Sequence, residues 1–278
     1  MSSSPAGHVA RSTVRPNAET GSRTPLRTFL TAADGISIDS VYEPGGVVYD
    51  ASAPSTGHPV FVVAHGFTGD VDRPHVRRVA SALARHGAVV TFSFRGHGRS
   101  GGHSTVGDRE VHDLAAVVEW ARSLGHARVA TVGFSMGGSV VLRHAALHPG
   151  TVDAVVSVSA PARWYYRGTP PMRRVHWLVT RPEGRLVARY GLRTRIHGDW
   201  DPVPLSPVEA VPKIAPTPLL IVHGDQDGYF PLDHPRMLAE AAAGHGELWV
   251  EHGMGHAEHA ADDGLLARIG DWAVAQGG

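Results

Sequence analysis

Cysteine is missing from all 278 residues. Disulfides, thiolate metal sites and cysteine nucleophiles are therefore excluded together, and a reducing, cytoplasmic setting suits such a chain. Net charge is missing too: 26 Lys and Arg balance 26 Asp and Glu, so no overall field draws the chain to nucleic acid or to an anionic membrane. No run approaches the ~18 consecutive apolar residues of a membrane-spanning helix. Internal repeats are absent. Low complexity is confined to residues 1–25, rich in Ser, Pro, Arg, Thr and Gly and without the apolar stretch of a secretory signal. These read as a disordered or loosely docked tail.

What is present is an alternation of short apolar runs with helical periodicity. Phe29 to Thr31 and Ile36 to Tyr42 flank Asp34-Gly35 and predict an opening hairpin. Val60 to Ala64, Ala88 to Phe94, Val129 to Phe134, Val152 to Val158, Leu219 to Val222 and Leu248 to Val250 read as strands. Helices are expected over about 72–86, 108–124, 135–147 and 235–243, with a last one carrying Leu265, Leu266, Ile269 and Trp272. Strand and helix in turn imply an α/β fold, with a mainly parallel central sheet and helices on both faces. The ligand site of such a sheet lies at the carboxyl ends of its strands.

The rhythm breaks once. About 55 residues separate the strand ending near Ser159 from the one starting near Pro218, where a short crossover would do. They include Trp164, Tyr165, Tyr166, Trp177 and Tyr190 with many arginines and prolines. The expected organisation is a core of 26–160 and 216–278, with a partly helical cap over 161–215 inserted late in the chain. Trp164, Tyr165, Tyr166 and Trp177 are the expected substrate-contacting residues of that cap.

Gly133-Phe134-Ser135-Met136-Gly137 falls where a predicted strand runs into a predicted helix. A serine on so tight a turn is held in a strained conformation with its hydroxyl above the sheet. Residues two before and two after must be small, or strand and helix collide. The Met136 N–H then heads a helix and can face a developing oxyanion. With 33 glycines in the chain, the pattern alone is weak; its place at a strand-helix junction gives it weight. A serine hydroxyl needs a base, which imidazole supplies, and the imidazole needs a carboxylate to orient it. Asp227, just beyond the Leu219 strand, and His256, after the last strand, arrive at the same sheet edge as Ser135.

At these residues the chain resembles the α/β-hydrolase superfamily. The resemblance spans roughly residues 57–162 and 215–275 and rests on five segments. They are His65-Gly66-Phe67-Thr68-Gly69, Arg95-Gly96-His97-Gly98-Arg99-Ser100, the serine turn itself, His223-Gly224-Asp225-Gln226-Asp227 and Gly253-Met254-Gly255-His256. Among members, cinnamoyl/feruloyl-type esterases and monoacylglycerol-lipase-like hydrolases are the most similar. The resemblance implies Ser135, Asp227 and His256 as a triad in the family's chain order. It implies the Phe67 N–H as second oxyanion donor, with the Phe67 side chain lining the pocket, and it prefers Asp227 over Asp225 as the acid. Ser93 departs from the pattern, standing where relatives often carry Asp. The rivals are Asp225 for the acid, and His252 or His259 for the base. His65, His97, Arg95 and His223 are expected to be structural. A zinc site at His252, His256 and His259 is disfavoured, because no His-Glu-x-x-His helix is present and two glycines lie between His252 and His256.

The expected activity is serine hydrolysis of a small to medium apolar or aromatic carboxylic ester, without cofactor or metal. Thioesterase, amidase, acyltransferase and perhydrolase activities share the same triad. A ligand-binding protein without turnover is the alternative from another class.

Overall fold

The computed structural model describes residues 24–46, 58–197 and 200–276. The expected tail therefore lies, save for Thr24 and Pro25, outside the described residues. Eight strands form one sheet in the order β1-β2-β4-β3-β5-β6-β7-β8. β1 (Leu26–Thr31) and β2 (Ser37–Glu43) make the hairpin around Asp34-Gly35, and β2 runs antiparallel to β4 (Val89–Phe92). The remainder is parallel: β3 (Val60–Ala64), β5 (Val129–Phe134), β6 (Ala154–Val158), β7 (Leu219–Gly224) and β8 (Gly246–Glu251).

Two helical layers enclose the sheet because its strands are apolar on both faces. Along β3 the side chains alternate between layers. Val60, Val62 and Ala64 join the apolar layer that also holds side chains of α2 (Glu110–Ser123), α3 (Met136–Leu147) and α7 (Asp233–Ala241). Phe61 and Val63 meet α1 (Pro74–Leu83) and α9 (Asp263–Ala275) on the other face. Burying a side chain such as Phe61, fully enclosed here, contributes about 1.5–3 kcal/mol. The chain winds from β3 outward to β4, then returns past β3 to β5. That reversal is a topological switch point, and it opens a crevice at the carboxyl ends of β3 and β5.

Between β6 and β7 lie α4 (Pro170–Thr180), α5 (Pro182–Gly191) and the short α6 (Pro207–Ala210). The far end of this segment is tied back to the loop after β4. Ser104 N–H donates to the Arg195 carbonyl at 2.7 Å, His197 N–H to the Ser104 carbonyl at 2.7 Å and Arg195 N–H to the Gly96 carbonyl at 2.8 Å.

The expected strand over 88–94 is shorter in the fold, because the Phe94 N–H is taken by the His65 ring at 3.0 Å rather than by a neighbouring strand. The helix expected from 108 starts at Glu110, whose carboxylate accepts from Thr105 N–H at 2.8 Å and Gly107 N–H at 3.0 Å and holds the preceding loop open. Arg95 is structural, as expected: its guanidinium bonds Asp113 at 2.7 Å and Asp34 at 2.6 Å and closes the turn after β4 over α2.

Besides His223, four rings are buried: His65, His97, His144 and His234. Burial pushes them down, His65 and His144 to about 3 and His97 and His234 to about 4. Each therefore stays neutral in the folded protein while the unfolded chain takes up a proton below about 6.5. The unfolded state binds more protons across that window, so this stability is fully present above pH 6.5 and is lost as pH falls toward 4. Going from pH 7 to pH 5 removes about 2 kcal/mol for each ring that stays neutral. The urea midpoint is expected to fall clearly between pH 7 and pH 5, and to fall less in His144→Leu. A midpoint indifferent to pH over this range contradicts the assignment.

Candidate active site

The serine turn forms because the backbones at its two glycines nearly touch their neighbours. A Cβ on Gly133 would lie 2.2 Å from the Gly137 carbonyl oxygen, and one on Gly137 would lie 2.1 Å from the Ala64 carbonyl oxygen at the end of β3. Between them Ser135 adopts φ 51°, ψ −112°, a conformation side chains rarely hold. Its N–H is anchored to the Val158 carbonyl at 2.8 Å. Met136 is the first residue of α3, so its N–H is one of the donors a helix leaves without an internal acceptor.

Asp227, His256 and Ser135 form one chain of hydrogen bonds. Asp227 Oδ2 meets His256 Nδ1 at 2.7 Å, and His256 Nε2 meets Ser135 Oγ at 2.9 Å. With Nδ1–H directed at the carboxylate, Nε2 of the neutral ring is left to accept the serine proton. The other carboxylate oxygen accepts from Tyr229 N–H at 2.7 Å and Phe230 N–H at 3.1 Å. Burial alone would raise the Asp227 carboxyl, but the His256 hydrogen bond and charge and these two N–H groups outweigh it and hold the carboxyl below its ordinary value. Tyr229 stacks on the His256 ring with centroids 4.2 Å apart. The ring is thus held at one nitrogen and over one face.

The rivals lie outside this hydrogen-bond chain. Asp225 accepts from His252 Nδ1 at 2.7 Å and from Gly253 N–H at 2.7 Å, clasping the loop that carries His256 from its solvent side. His223 Nε2 donates to the Phe230 carbonyl at 2.8 Å and stands 3.5 Å from Asp227 Oδ2, behind the carboxylate. His259 packs against the His75 ring, centroids 4.0 Å apart and the planes tilted by 45°. His65 accepts the Phe94 N–H at Nε2, which places its proton on Nδ1, where it donates to the Gly66 carbonyl at 2.7 Å. A neutral, doubly bonded ring anchors the loop that carries Phe67. Ser93, the departure from the family pattern, accepts Val71 N–H at its hydroxyl at 3.1 Å and so fastens the following loop. Among the described residues no three His, Asp or Glu side chains converge as a metal site would.

A pocket of ≈ 600 Å³ opens above Ser135 and His256. Phe67, Trp164, Tyr165 and Tyr166, four of the residues expected to contact substrate, line it together with Met136. Trp177 does not. On α4, Met172, Val175, His176 and Val179 face the pocket, while Trp177 falls on the opposite side with Pro170, Arg173 and Arg174 and is 45% exposed. Helical spacing accounts for this, since 172, 175, 176 and 179 recur at i, i+3, i+4 and i+7 and 177 lies across the wheel. The sequence reading also missed Tyr229, Phe230 and Trp200 as lining residues. Tyr229 and Phe230 follow Asp227 within three positions, so a carboxylate capped by the next N–H groups was the available signal. Trp200 packs on Trp164 at 5.1 Å and donates to the Thr105 carbonyl at 2.6 Å.

Residues 59–182 match the family model described as the alpha/beta hydrolase fold. A monoacylglycerol lipase of Mycolicibacterium smegmatis is 31% identical over 241 residues, covering 72% of this chain and 82% of that protein. This chain belongs to the α/β-hydrolase family. It is a hydrolase of the esterase and lipase type. The fold is shared with the Pyrococcus furiosus esterase Pf2001, at TM-score 0.68 and 22% identity over 93% of this chain and 98% of that one. Est1E of Butyrivibrio proteoclasticus, solved with ferulic acid bound, superimposes at TM-score 0.57 and 20% identity over 89% and 97% of the two chains.

The contacts at the serine turn give this hydrolase a sharp steric test. Gly137→Ala drives a Cβ into the Ala64 carbonyl, a backbone group that cannot rotate away. A loss of about 3 kcal/mol or more is expected, the upper part of the range for overpacking. Gly191→Ala, where nothing lies within 4 Å of the new Cβ, is expected to stay within about 0.5 kcal/mol of the parent. Urea unfolding of the two variants side by side checks the contrast, and equal stabilities refute it.

Proposed function

We propose that this hydrolase cleaves carboxylic esters of small to medium apolar or aromatic substrates through an acyl-enzyme on Ser135. The observation that carries the reading is the unbroken Asp227–His256–Ser135 hydrogen-bond chain, 2.7 and 2.9 Å, opening into a largely apolar pocket. Ser135 Oγ attacks the ester carbonyl carbon as its proton passes to His256 Nε2. The carbonyl oxygen becomes an oxyanion held by the Met136 and Phe67 N–H groups, each worth about 2.7–4 kcal/mol in such sites. Asp227 stabilises the imidazolium that forms. Collapse of the intermediate expels the alkoxide, which takes the proton from His256. Water then enters, gives its proton to the same nitrogen and attacks the acyl carbon. The second intermediate collapses, the acid leaves, and Ser135 Oγ takes the proton back from His256.

On this reading residues 26–160 and 216–278 form the catalytic core, and 161–215 form a cap whose inner surface selects the substrate. Met172, Val175, Val179, Trp164 and Phe230 present apolar walls to the pocket, which suits an acyl chain or an aromatic ring. The lipase name of the mycobacterial relative and the ferulic acid in Est1E fall within that class of ligand.

A fluorophosphonate probe is expected to label Ser135, and Ser135→Ala to abolish both labelling and turnover of nitrophenyl esters while keeping the melting temperature. Asp227→Asn is expected to lower kcat by about 10³–10⁴, the scale of the same change in a known triad, and Asp225→Asn by less than tenfold. Labelling that persists in Ser135→Ala removes the nucleophile assignment, and a reversed order of the two Asn variants moves the acid to Asp225. Thioester turnover far above ester turnover by the parent enzyme would reassign the substrate class and leave the triad in place.

The helix geometry separates two tryptophans. Trp164→Ala is expected to change the ranking of kcat/KM across nitrophenyl esters of rising chain length. Trp177→Ala, on the outer side of α4, is expected to leave the ranking as it was. Melting temperatures measured alongside distinguish selectivity from lost packing. A uniform loss over all chain lengths in Trp164→Ala, with a lowered melting point, would reduce that residue to a packing role.

A further inference from the structure

We infer that Glu258 is a positioning residue for the oxyanion site, aiming the Phe67 N–H through a buried hydrogen bond to the peptide before it. The inference rests on the role proposed above for Phe67.

Glu258 lies two residues beyond His256, on the short turn α8 (Ala257–Ala260), and its side chain is 5% exposed. A carboxylate removed from water is costly unless it is well partnered. Its Oε1 accepts the Gly66 N–H at 3.0 Å, across a sequence separation of 192 residues. His75 Nε2 stands 3.8 Å from the same oxygen. Both carboxylate oxygens also pack on the Gly66 Cα: a Cβ built there would lie 3.0 and 3.1 Å from them. The carboxylate therefore fixes Gly66 both by accepting its N–H and by contact. The His65 ring holds the other side of the same residue through the Gly66 carbonyl at 2.7 Å.

With Gly66 gripped at its N–H and its carbonyl, the Gly66–Phe67 peptide plane has no freedom to turn. That plane carries the Phe67 N–H. Hydrogen bonds to an oxyanion act only if the donor is aimed at where the charge develops, before it develops. Gly66, Phe67 and Glu258 border the same pocket as Ser135 and His256. The turn bearing Glu258 is itself held from behind. Arg78 Nη2 donates to the Glu258 carbonyl at 2.8 Å and the Ala261 carbonyl at 2.7 Å, and Ala257 N–H donates to Ser159 Oγ at 3.1 Å. One short turn thus carries the proposed base and, two residues on, the group that sets the proposed oxyanion donor. Displacing either loop misaligns both.

The alternative is a carboxylate that only stabilises the fold. Three variants separate the two. Glu258→Gln keeps an oxygen at the same reach, Glu258→Asp keeps the charge but withdraws it by one methylene, and Glu258→Ala removes the group. Kinetics on a nitrophenyl ester are expected to show kcat lowered about 10- to 100-fold in the Ala and Asp variants with KM within threefold. The Gln variant is expected to stay within about fivefold of the parent in kcat. A trifluoromethyl ketone, which adds Ser135 Oγ to its carbonyl and leaves an oxyanion in the site, is expected to lose affinity by the same factor as kcat/KM. All three variants within threefold of the parent would overturn the inference, as would a charge-dependent order with Asp active and Gln impaired. Should Glu258→Ala fail to fold, the Asp and Gln pair decides alone. Fluorophosphonate labelling of the parent at Ser135 is run first. A parent that is not labelled overturns the site reading itself, whereas a labelled parent with unaffected variants overturns only the role of Glu258.

Discussion

The close approach of β3, β5 and α3 is the constraint on which the rest depends. The Ala64 carbonyl comes so near the start of α3 that only glycine fits at 137, and the turn is tight enough that only glycine fits at 133. Without that approach Ser135 would have no reason to stand at φ 51° with its hydroxyl above the sheet. The same contact sets β3 beside β5, pairing Ala64 with Gly133, and brings the loop after β3 over the serine. A steric fact about two glycines therefore fixes the distance between the proposed nucleophile and one proposed oxyanion donor. The strain at Ser135 persists because its neighbours over-determine it, through Val158 on one side and α3 on the other.

Around this point the loops of the carboxyl edge are held by a repeated device, a carboxylate accepting backbone N–H groups. Asp113 takes Arg95 N–H at 2.8 Å. Glu110 takes those of Thr105 and Gly107 at 2.8 and 3.0 Å, Asp227 those of Tyr229 and Phe230 at 2.7 and 3.1 Å, and Glu258 that of Gly66 at 3.0 Å. All four are among the buried residues. Charge-assisted bonds of this kind are about twice as strong as neutral ones, and each carboxylate would be a liability unpaired. The arrangement pins loops that have no ladder of their own. In Asp227 the device does double service: one oxygen freezes the local turn and the other orients His256.

The sheet was legible in the sequence to within a residue or two at most strands, because strands buried on both faces leave unbroken apolar runs that little else imitates. Val60–Ala64 and Val129–Phe134 stand as expected. At two of the edges that moved, side chains had captured the backbone. His65 ends β4 early, and Glu110 delays α2, and neither contact has a periodic signature. The three residues of the hydrogen-bond chain were legible because each lies within five residues of a strand end in a local pattern of glycines. Glu258 was not legible: its partner is 192 positions away, and a lone Glu after a histidine carries no pattern. Trp177 misled for the opposite reason. Composition brought it into the site with its aromatic neighbours, but a helix divides such residues between two faces, and only the register of α4 says which.

The wall of the pocket is unequal in its firmness, and the inequality follows from what is buried. The far end of the segment between β6 and β7 is clamped, with Ile196 buried and Trp200 bonded to Thr105, beside the loop that Glu110 holds. α5 packs on α4 through Gly184, whose missing side chain lets the helix reach within a Cβ's width of the Trp177 carbonyl. α4 itself has no buried residue. Its apolar stripe of Met172, Val175 and Val179 faces the pocket rather than a core, so displacing it breaks little apolar packing. Regions with few buried contacts open at the least free-energy cost. The floor of the site, set by glycine contacts and buried carboxylates, is thus the part that admits no adjustment. The α4 wall, which has no buried residue, is the part held least firmly.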